Sequence, residues 1–307
     1  MEEKSSLSPF LEKRRGYIDP LIVAKLSTML LRARFVVEGF IAGLHQSPYR
    51  GFSLEFAQHR EYSPGDETRH VDWKVYGRKD KYFVKQYQEE TNLKGYILLD
   101  RSGSMGYGSG GISKLQYGSY LAASLAFLML RQQDSVGLAT FDERIKKYIP
   151  PRQSRGHLSL ILEELENLIP SYKTGINRSL QELGQYTKRR GLIILISDLL
   201  DEQEEVLKAL KYFRFKKHEV IVFHLLDHAE LELPFISVLW LEDMENGKRV
   251  LTHPEIIRGK YKNVVKEFVE TYKLSCLRSD IDYCLIDTKT PLDFALGAYL
   301  ARRKMLR

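Results

Sequence analysis

The chain has 307 residues, 43% of them hydrophobic and 28% charged, which supports a folded core and excludes a fibrous repeat or wholesale disorder. Its net charge is +7, but residues 302–307 contribute four of those charges and no acid. The remaining body is close to neutral, which argues against a nucleic-acid groove.

The apolar stretch Leu121-Ala-Ala-Ser-Leu-Ala-Phe-Leu-Met-Leu130 is too short to span a bilayer and is closed by Arg131. The start, Met1-Glu-Glu-Lys, lacks an apolar signal core, so no membrane span and a cytoplasmic location are expected. Cys276 and Cys284 make neither a disulfide framework nor a four-thiolate zinc site, and read as small buried residues in a reducing compartment.

In chain order, Ile18 to Leu31 has the apolar spacing of a helix, and Phe35-Val-Val37 reads as extended. The cluster Gln46-Ser-Pro-Tyr-Arg-Gly51 predicts a turn between two strands, and a second turn falls at Tyr62-Ser-Pro-Gly-Asp66. After Asn92 strands and helices alternate. Gly95–Asp100, Ser135–Phe141, Arg144–Ile149, Gly191–Asp198, Glu219–Leu226 and Tyr283–Asp287 read as strands. Ser113–Arg131, Leu158–Leu168, Ile176–Thr187, Glu202–Phe215, Pro254–Leu274 and Leu292–Lys304 read as helices. Continuous apolar strands separated by helices predict an α/β fold, a mainly parallel sheet covered on both faces. Residues 1–93 then form an N-terminal mixed α+β segment, and 94–307 the sheet domain with its C-terminal helix.

In such sheets ligands bind beyond the carboxyl ends of the strands. Two buried strands end in an acid, Asp100 and Asp198, and the first continues as Asp100-Arg-Ser102-Gly-Ser104. An aspartate followed by two hydroxyls puts hard oxygen atoms on one loop, the donor set of a cation such as Mg²⁺. Thr174, just before the helix from Ile176, offers another hydroxyl. Plainer accounts exist for each residue alone. Asp100, Ser102 and Ser104 can satisfy a turn, and Asp198 can cap the Glu202 helix.

Rival motifs fit less well. Gly106-Tyr-Gly108-Ser-Gly-Gly111 matches a dinucleotide pattern but starts six residues after the strand, and Arg131 lies where an acid is needed. Ile112-Ser-Lys114-Leu lacks the glycine-lysine-hydroxyl run of a P-loop. A haloacid-dehalogenase-like phosphotransferase would require an aspartate where Ser102 stands. His224 and His228 leave a strand rather than sharing a helix face, so they read as structural or surface histidines.

The Asp100/Ser102/Ser104 loop, Thr174 and Asp198 together resemble the von Willebrand factor A fold with its metal-ion-dependent adhesion site, over roughly 94–290. The resemblance implies that Ser102, Ser104 and Thr174 ligate a divalent cation, Mg²⁺ first and Mn²⁺ or Ca²⁺ next. Asp100 and Asp198 would help hold it directly or through waters, and a partner's acidic residue would complete the shell. The chain departs from many relatives after Asp198, where Leu-Leu-Asp201 replaces glycine, so a different loop shape is expected.

Upstream, Arg60-Glu-Tyr62-Ser-Pro64-Gly-Asp66-Glu-Thr-Arg69-His-Val-Asp72-Trp73-Lys74, with Arg78 and Glu90, looks like the signature of the bacterial family called domain of unknown function 58. Gly77 stands where relatives commonly carry alanine. Such proteins often begin with membrane-spanning helices and are commonly encoded beside MoxR-type AAA+ ATPases, which implies such a partner. The motif reads as a network clamping the N-terminal segment, ahead of a partner surface.

The expectation is a non-catalytic, metal-dependent interaction module that captures a carboxylate from a protein partner, with no nucleic acid bound. Two alternatives stand beside it: a metal-dependent phosphotransferase or hydrolase, and a structural subunit with a vestigial site.

Overall fold

Asp19 opens the first helix, α1 (Pro20–Ala24), by accepting the Leu21 N–H at 2.8 Å, and Pro20 supplies a preset φ. The computed structural model describes residues 19–46, 59–61, 83–85, 93–171, 175–187, 189–242 and 247–305. A second helix, α2 (Met29–Gln46), includes Phe35-Val-Val37, which the sequence reading made extended. Met29, Ala33, Val36, Val37 and Phe40 are all buried and recur at helical spacing, so packing of one face overrides the strand preference of the β-branched pair.

The chain divides into two compact units, Met1–Gly43 with Leu93–Arg307, and Leu44–Asn92. Residues 20–43, which the sequence grouped with the N-terminal segment, therefore pack with the sheet domain. The Arg32 guanidinium lies over the Tyr120 ring, 5.2 Å from its centre. In the smaller unit β1 (His59–Glu61) pairs antiparallel with β2 (Phe83–Lys85). Arg60 and Glu61 are thus on a strand, while the turn expected at 46–51 and the motif residues Tyr62 to Lys74, Arg78 and Glu90 lie, in all or nearly all their length, outside the described residues.

The larger unit is built on one six-stranded sheet. In chain order its elements are β3 (Lys94–Asp100), α3 (Lys114–Arg131), β4 (Ser135–Phe141), β5 (Ile145–Arg152), α4 (Arg155–Glu166), α5 (Ile176–Tyr186), β6 (Leu192–Ser197), α6 (Gln203–Phe215) and β7 (Glu219–Leu226). There follow α7 (His228–Glu232), β8 (Leu239–Glu242), β9 (Arg249–Thr252), α8 (Pro254–Arg278), β10 (Asp282–Asp287) and α9 (Leu292–Met305). The strand order is β5-β4-β3-β6-β7-β10, with only β5 antiparallel to its neighbour.

Alternate residues of the strands serve the two faces. Tyr96, Leu98, Ile193, Leu195, Val220 and Val222 join one core with Leu180, Val206, Phe213 and Tyr272 from α5, α6 and α8. Leu99, Ile196 and Leu225 face Gly118 of α3 on the other side. Helix α3 is buried along most of its length, in keeping with its many apolar residues between Leu115 and Leu130. Both faces are covered, as the sequence pattern predicted. The hairpin β8–β9 did not stand out in the sequence: it exposes Trp240, Leu241, Val250 and Leu251 and so has no buried face to pattern it.

The order of the six strands reverses between β3 and β6. Both leave the sheet there toward opposite edges, which opens a crevice at their carboxyl ends.

Candidate functional site at the carboxyl ends of the strands

Each of the five parallel strands ends in, or is followed at once by, an aspartate: Asp100, Asp142, Asp198, Asp227 and Asp287. Asp100 and Asp198 flank the crevice where the strand order reverses. Both are fully buried.

Asp100 is held from two sides. Its Oδ1 accepts the Ser102 N–H at 2.8 Å, and its Oδ2 accepts the Ser197 hydroxyl at 2.6 Å. Burial and the neighbouring Asp198 charge push its carboxyl up to about 7, against the lowering effect of those hydrogen bonds. The turn account of Asp100 is therefore partly realised, but it leaves a buried carboxylate within the electrostatic reach of a second, Asp198.

The Ser102 and Ser104 hydroxyl oxygens are 3.1 Å apart. An octahedral ion with bonds of about 2.0–2.1 Å spaces adjacent ligands about 2.8–3.0 Å apart, so the pair is close to one edge of such a shell. Among the described residues no cluster of three His, Cys, Asp or Glu side chains is placed to hold a metal. A cation here would rest on hydroxyls, on the Asp100–Asp198 pair and on water. By donor chemistry and charge the residues fit a hard divalent ion. Thr174, the fifth expected ligand, lies outside the described residues.

Asp198 does not cap the following helix. Its Oδ2 accepts the Lys114 ammonium at 2.8 Å, and Leu200 N–H reaches Oδ1 at 3.3 Å. Lys114 is wholly buried and also donates to Glu230 Oε1 at 2.6 Å. The lysine of the rejected P-loop pattern thus faces two carboxylates.

The departure at Leu199-Leu-Asp201 has a local consequence. Leu199 adopts a left-handed φ of 57°, which glycine takes without strain and a leucine does not. Its N–H donates to Ser197 Oγ at 2.9 Å, and the Tyr272 hydroxyl donates to its carbonyl at 3.2 Å. Its side chain is buried in the core. Asp201 reaches across to accept the Ile176 N–H at 2.8 Å, so it caps α5 from a different loop.

Gly175 packs against the Glu143 backbone, where a Cβ would lie 2.6 Å from the carbonyl oxygen. Gly175→Ala is therefore expected to cost about 2 kcal/mol and to displace the start of α5. Urea denaturation would show it, and a change below about 0.5 kcal/mol would contradict this packing.

The glycine-rich loop is also pinned. A Cβ at Gly108 would meet the Ile112 carbonyl oxygen at 2.1 Å, so this glycine serves backbone packing. The neighbouring Ser109 donates to Asp227 through its hydroxyl and its N–H. These contacts give Gly108 and Ser109 a role without a dinucleotide.

Sequence reasoning missed Lys114, Ser197, Asp201, Asp227 and Glu230. Asp227 had a signal, an acid directly after a buried strand, but the pairings of Lys114 span 84 and 116 residues and leave no local trace. His224 is buried in β7 with Nδ1 2.6 Å from the Tyr283 hydroxyl, a structural placement. His228 pairs with Asp287 at 2.7 Å. Of the cysteines, Cys276 is buried and Cys284 partly so, and both are free. No helix among the described residues is long and apolar enough to cross a membrane.

A family described as "Protein of unknown function DUF58" matches residues 58–270. The uncharacterized protein Rv1480 of Mycobacterium tuberculosis is 28% identical over 240 residues, covering 76% of this chain and 74% of the relative. The uncharacterized protein Mb1516 of Mycobacterium bovis matches to the same extent. Among solved structures, the conserved hypothetical protein BatB from Bacteroides thetaiotaomicron is 18% identical, covers 68% of this chain and 98% of its own, and has a TM-score of 0.47. An aerotolerance-related membrane protein from Bacteroides fragilis gives 16% identity over 68% and 99%, with a TM-score of 0.44.

Proposed function

Since the chain belongs to the DUF58 family, we propose that its sheet domain is a von Willebrand A-like protein-interaction module whose grip on its partner depends on a divalent cation. Asp100, Ser102, Ser104 and Asp198, with Thr174, would hold the ion, Mg²⁺ in preference to Mn²⁺ or Ca²⁺. A carboxylate of the partner would complete its shell. The partner we favour is a MoxR-type AAA+ ATPase in the cytoplasm, and the role is non-catalytic.

One observation carries this reading. Two buried carboxylates share the crevice at the strand reversal, and burial with the neighbouring Asp198 charge pushes Asp100 up to about 7, because the Lys114 ammonium sits on Asp198 and not on Asp100. A cation supplies that charge, and the paired hydroxyls of Ser102 and Ser104 supply neutral oxygen ligands beside it. The ion would act there as an electrophile for a carboxylate, while this chain's own residues orient it and exclude bulk water.

Calorimetric titration with Mg²⁺ and with Mn²⁺ tests the site. The wild-type chain is expected to bind, and Asp100→Ala to weaken binding at least about 100-fold, the upper range for a residue supporting a metal shell. Unchanged binding in the variant would sink the assignment. Metal-dependent turnover of phosphate esters, lost in the same variant, would transfer the site to a hydrolase.

A further inference from the structure

Lys114 breaks a local rule. It is the first residue of α3, where the helix dipole favours an acid, and its side chain is wholly buried. The start of the helix does not need it, because Ser113 and Gln116 already form a reciprocal cap. A buried ammonium at a helix N-terminus persists only where anions hold it, and two do: Asp198 Oδ2 at 2.8 Å and Glu230 Oε1 at 2.6 Å. Such departures from local preference concentrate at functional positions.

We propose that Lys114 is a positioning residue that occupies one oxygen of Asp198 and so selects a small octahedral cation, Mg²⁺, over Ca²⁺. The inference rests on the metal-site reading given above. Ca²⁺ takes six to eight oxygens and favours carboxylates that chelate with both, whereas Mg²⁺ accepts one oxygen per acid and keeps its waters. With Oδ2 committed to Lys114, Asp198 has Oδ1 to offer, directly or through water. Asp100 is restricted in the same sense, because Ser102 and Ser197 each hold one of its oxygens. Neither acid at the crevice is free to chelate.

Glu230 is the anchor on the far side. Its other oxygen accepts the Asp227 N–H at 2.7 Å, closing the cap of α7, so the lysine is braced against a fixed element. A bracing role alone would make Lys114 matter for stability without affecting which ion binds. Selectivity separates the two.

The experiment is calorimetric titration of the full chain with MgCl₂ and, separately, with CaCl₂, for wild type, Lys114→Met and Glu230→Gln. Wild type is expected to prefer Mg²⁺. In Lys114→Met, Asp198 regains both oxygens, and the Mg²⁺-to-Ca²⁺ affinity ratio should fall by about tenfold or more. In Glu230→Gln the ammonium keeps Asp198 as its one anionic partner and is drawn onto it more firmly, so the ratio should widen. An unchanged ratio in Lys114→Met, or a ratio that fails to widen in Glu230→Gln, would overturn the inference. The second variant decides it even where the first does not fold. A wild-type chain that binds neither ion overturns the metal-site reading as well, whereas one that binds both with no preference overturns only the role of Lys114.

Discussion

Replacing Asp227 with alanine is expected to lower folding stability by about 3–5 kcal/mol, among the largest single effects in this domain. The wholly buried carboxylate of Asp227 accepts from four donors. They are the hydroxyl and N–H of Ser109, the Ala229 N–H at 2.9 Å and the Thr288 hydroxyl at 2.9 Å. Alanine would leave all four without their acceptor, and three segments would loosen together: the glycine-rich loop, the start of α7 and the turn after β10. Burial alone raises the Asp227 carboxyl, but these bonds outweigh it and hold the group below its ordinary value. The stabilisation is therefore present above the unfolded-state pKa of about 4 and is lost as pH falls through the lower folded value. Urea denaturation at neutral pH and near pH 3 would show a large gap between wild type and variant that narrows in acid. A neutral-pH loss below about 1 kcal/mol would show that water replaces the carboxylate, contrary to this account.

The sheet was legible in the sequence because its strands are buried on both faces. Leu192–Ile196 is an unbroken apolar run, and such a run between helices leaves few other placements. Asp100, Ser102, Ser104 and Asp198 were legible for a related reason, since polar groups that end a buried strand stand out against it. Asp142, Asp227 and Asp287 occupy equivalent positions, and the same rule applied to every strand would have found them. Lys114 was not legible. Its role is set by Asp198 and Glu230, which the fold alone brings near, and a lysine set against the helix dipole names neither partner. Phe35-Val-Val37 failed in the opposite way. Three residues of strong strand preference outweighed, in a short window, a helical burial pattern that needs residues 29 to 40 to be seen.

The second large effect concerns acid stability, where two buried groups act in opposite directions. His224 is enclosed by Phe268, Tyr272 and Tyr283, whose rings meet it edge-on at 5.5, 5.8 and 5.7 Å. Burial pushes its imidazole down to about 4, partly offset by the nearby Asp198. A depressed histidine contributes stability that is complete above the unfolded pKa of about 6.5 and is lost as pH falls toward the folded value. A shift of that size corresponds to about 3 kcal/mol. Asp100 has the reverse sign, because its folded pKa is raised to about 7: its contribution is complete below about pH 4 and is lost as pH rises through 7.

In EDTA the two contributions oppose one another across the same window, and the stability profile between pH 4 and pH 7 should be shallow. Mg²⁺ would hold Asp100 ionised and stabilise the neutral-pH protein, so that with the ion present the fall into acid becomes steep. His224→Phe, which keeps an aromatic ring in the cluster, should then lessen that fall by about 2 kcal/mol between pH 7 and pH 4.5 with Mg²⁺ present. Chemical denaturation at pH 4.5 and pH 7 with and without Mg²⁺, on both proteins, separates the contributions. A profile that Mg²⁺ leaves unchanged would remove Asp100 from the cation site. An acid loss as steep in His224→Phe as in wild type would move the acid-sensitive group elsewhere in the core.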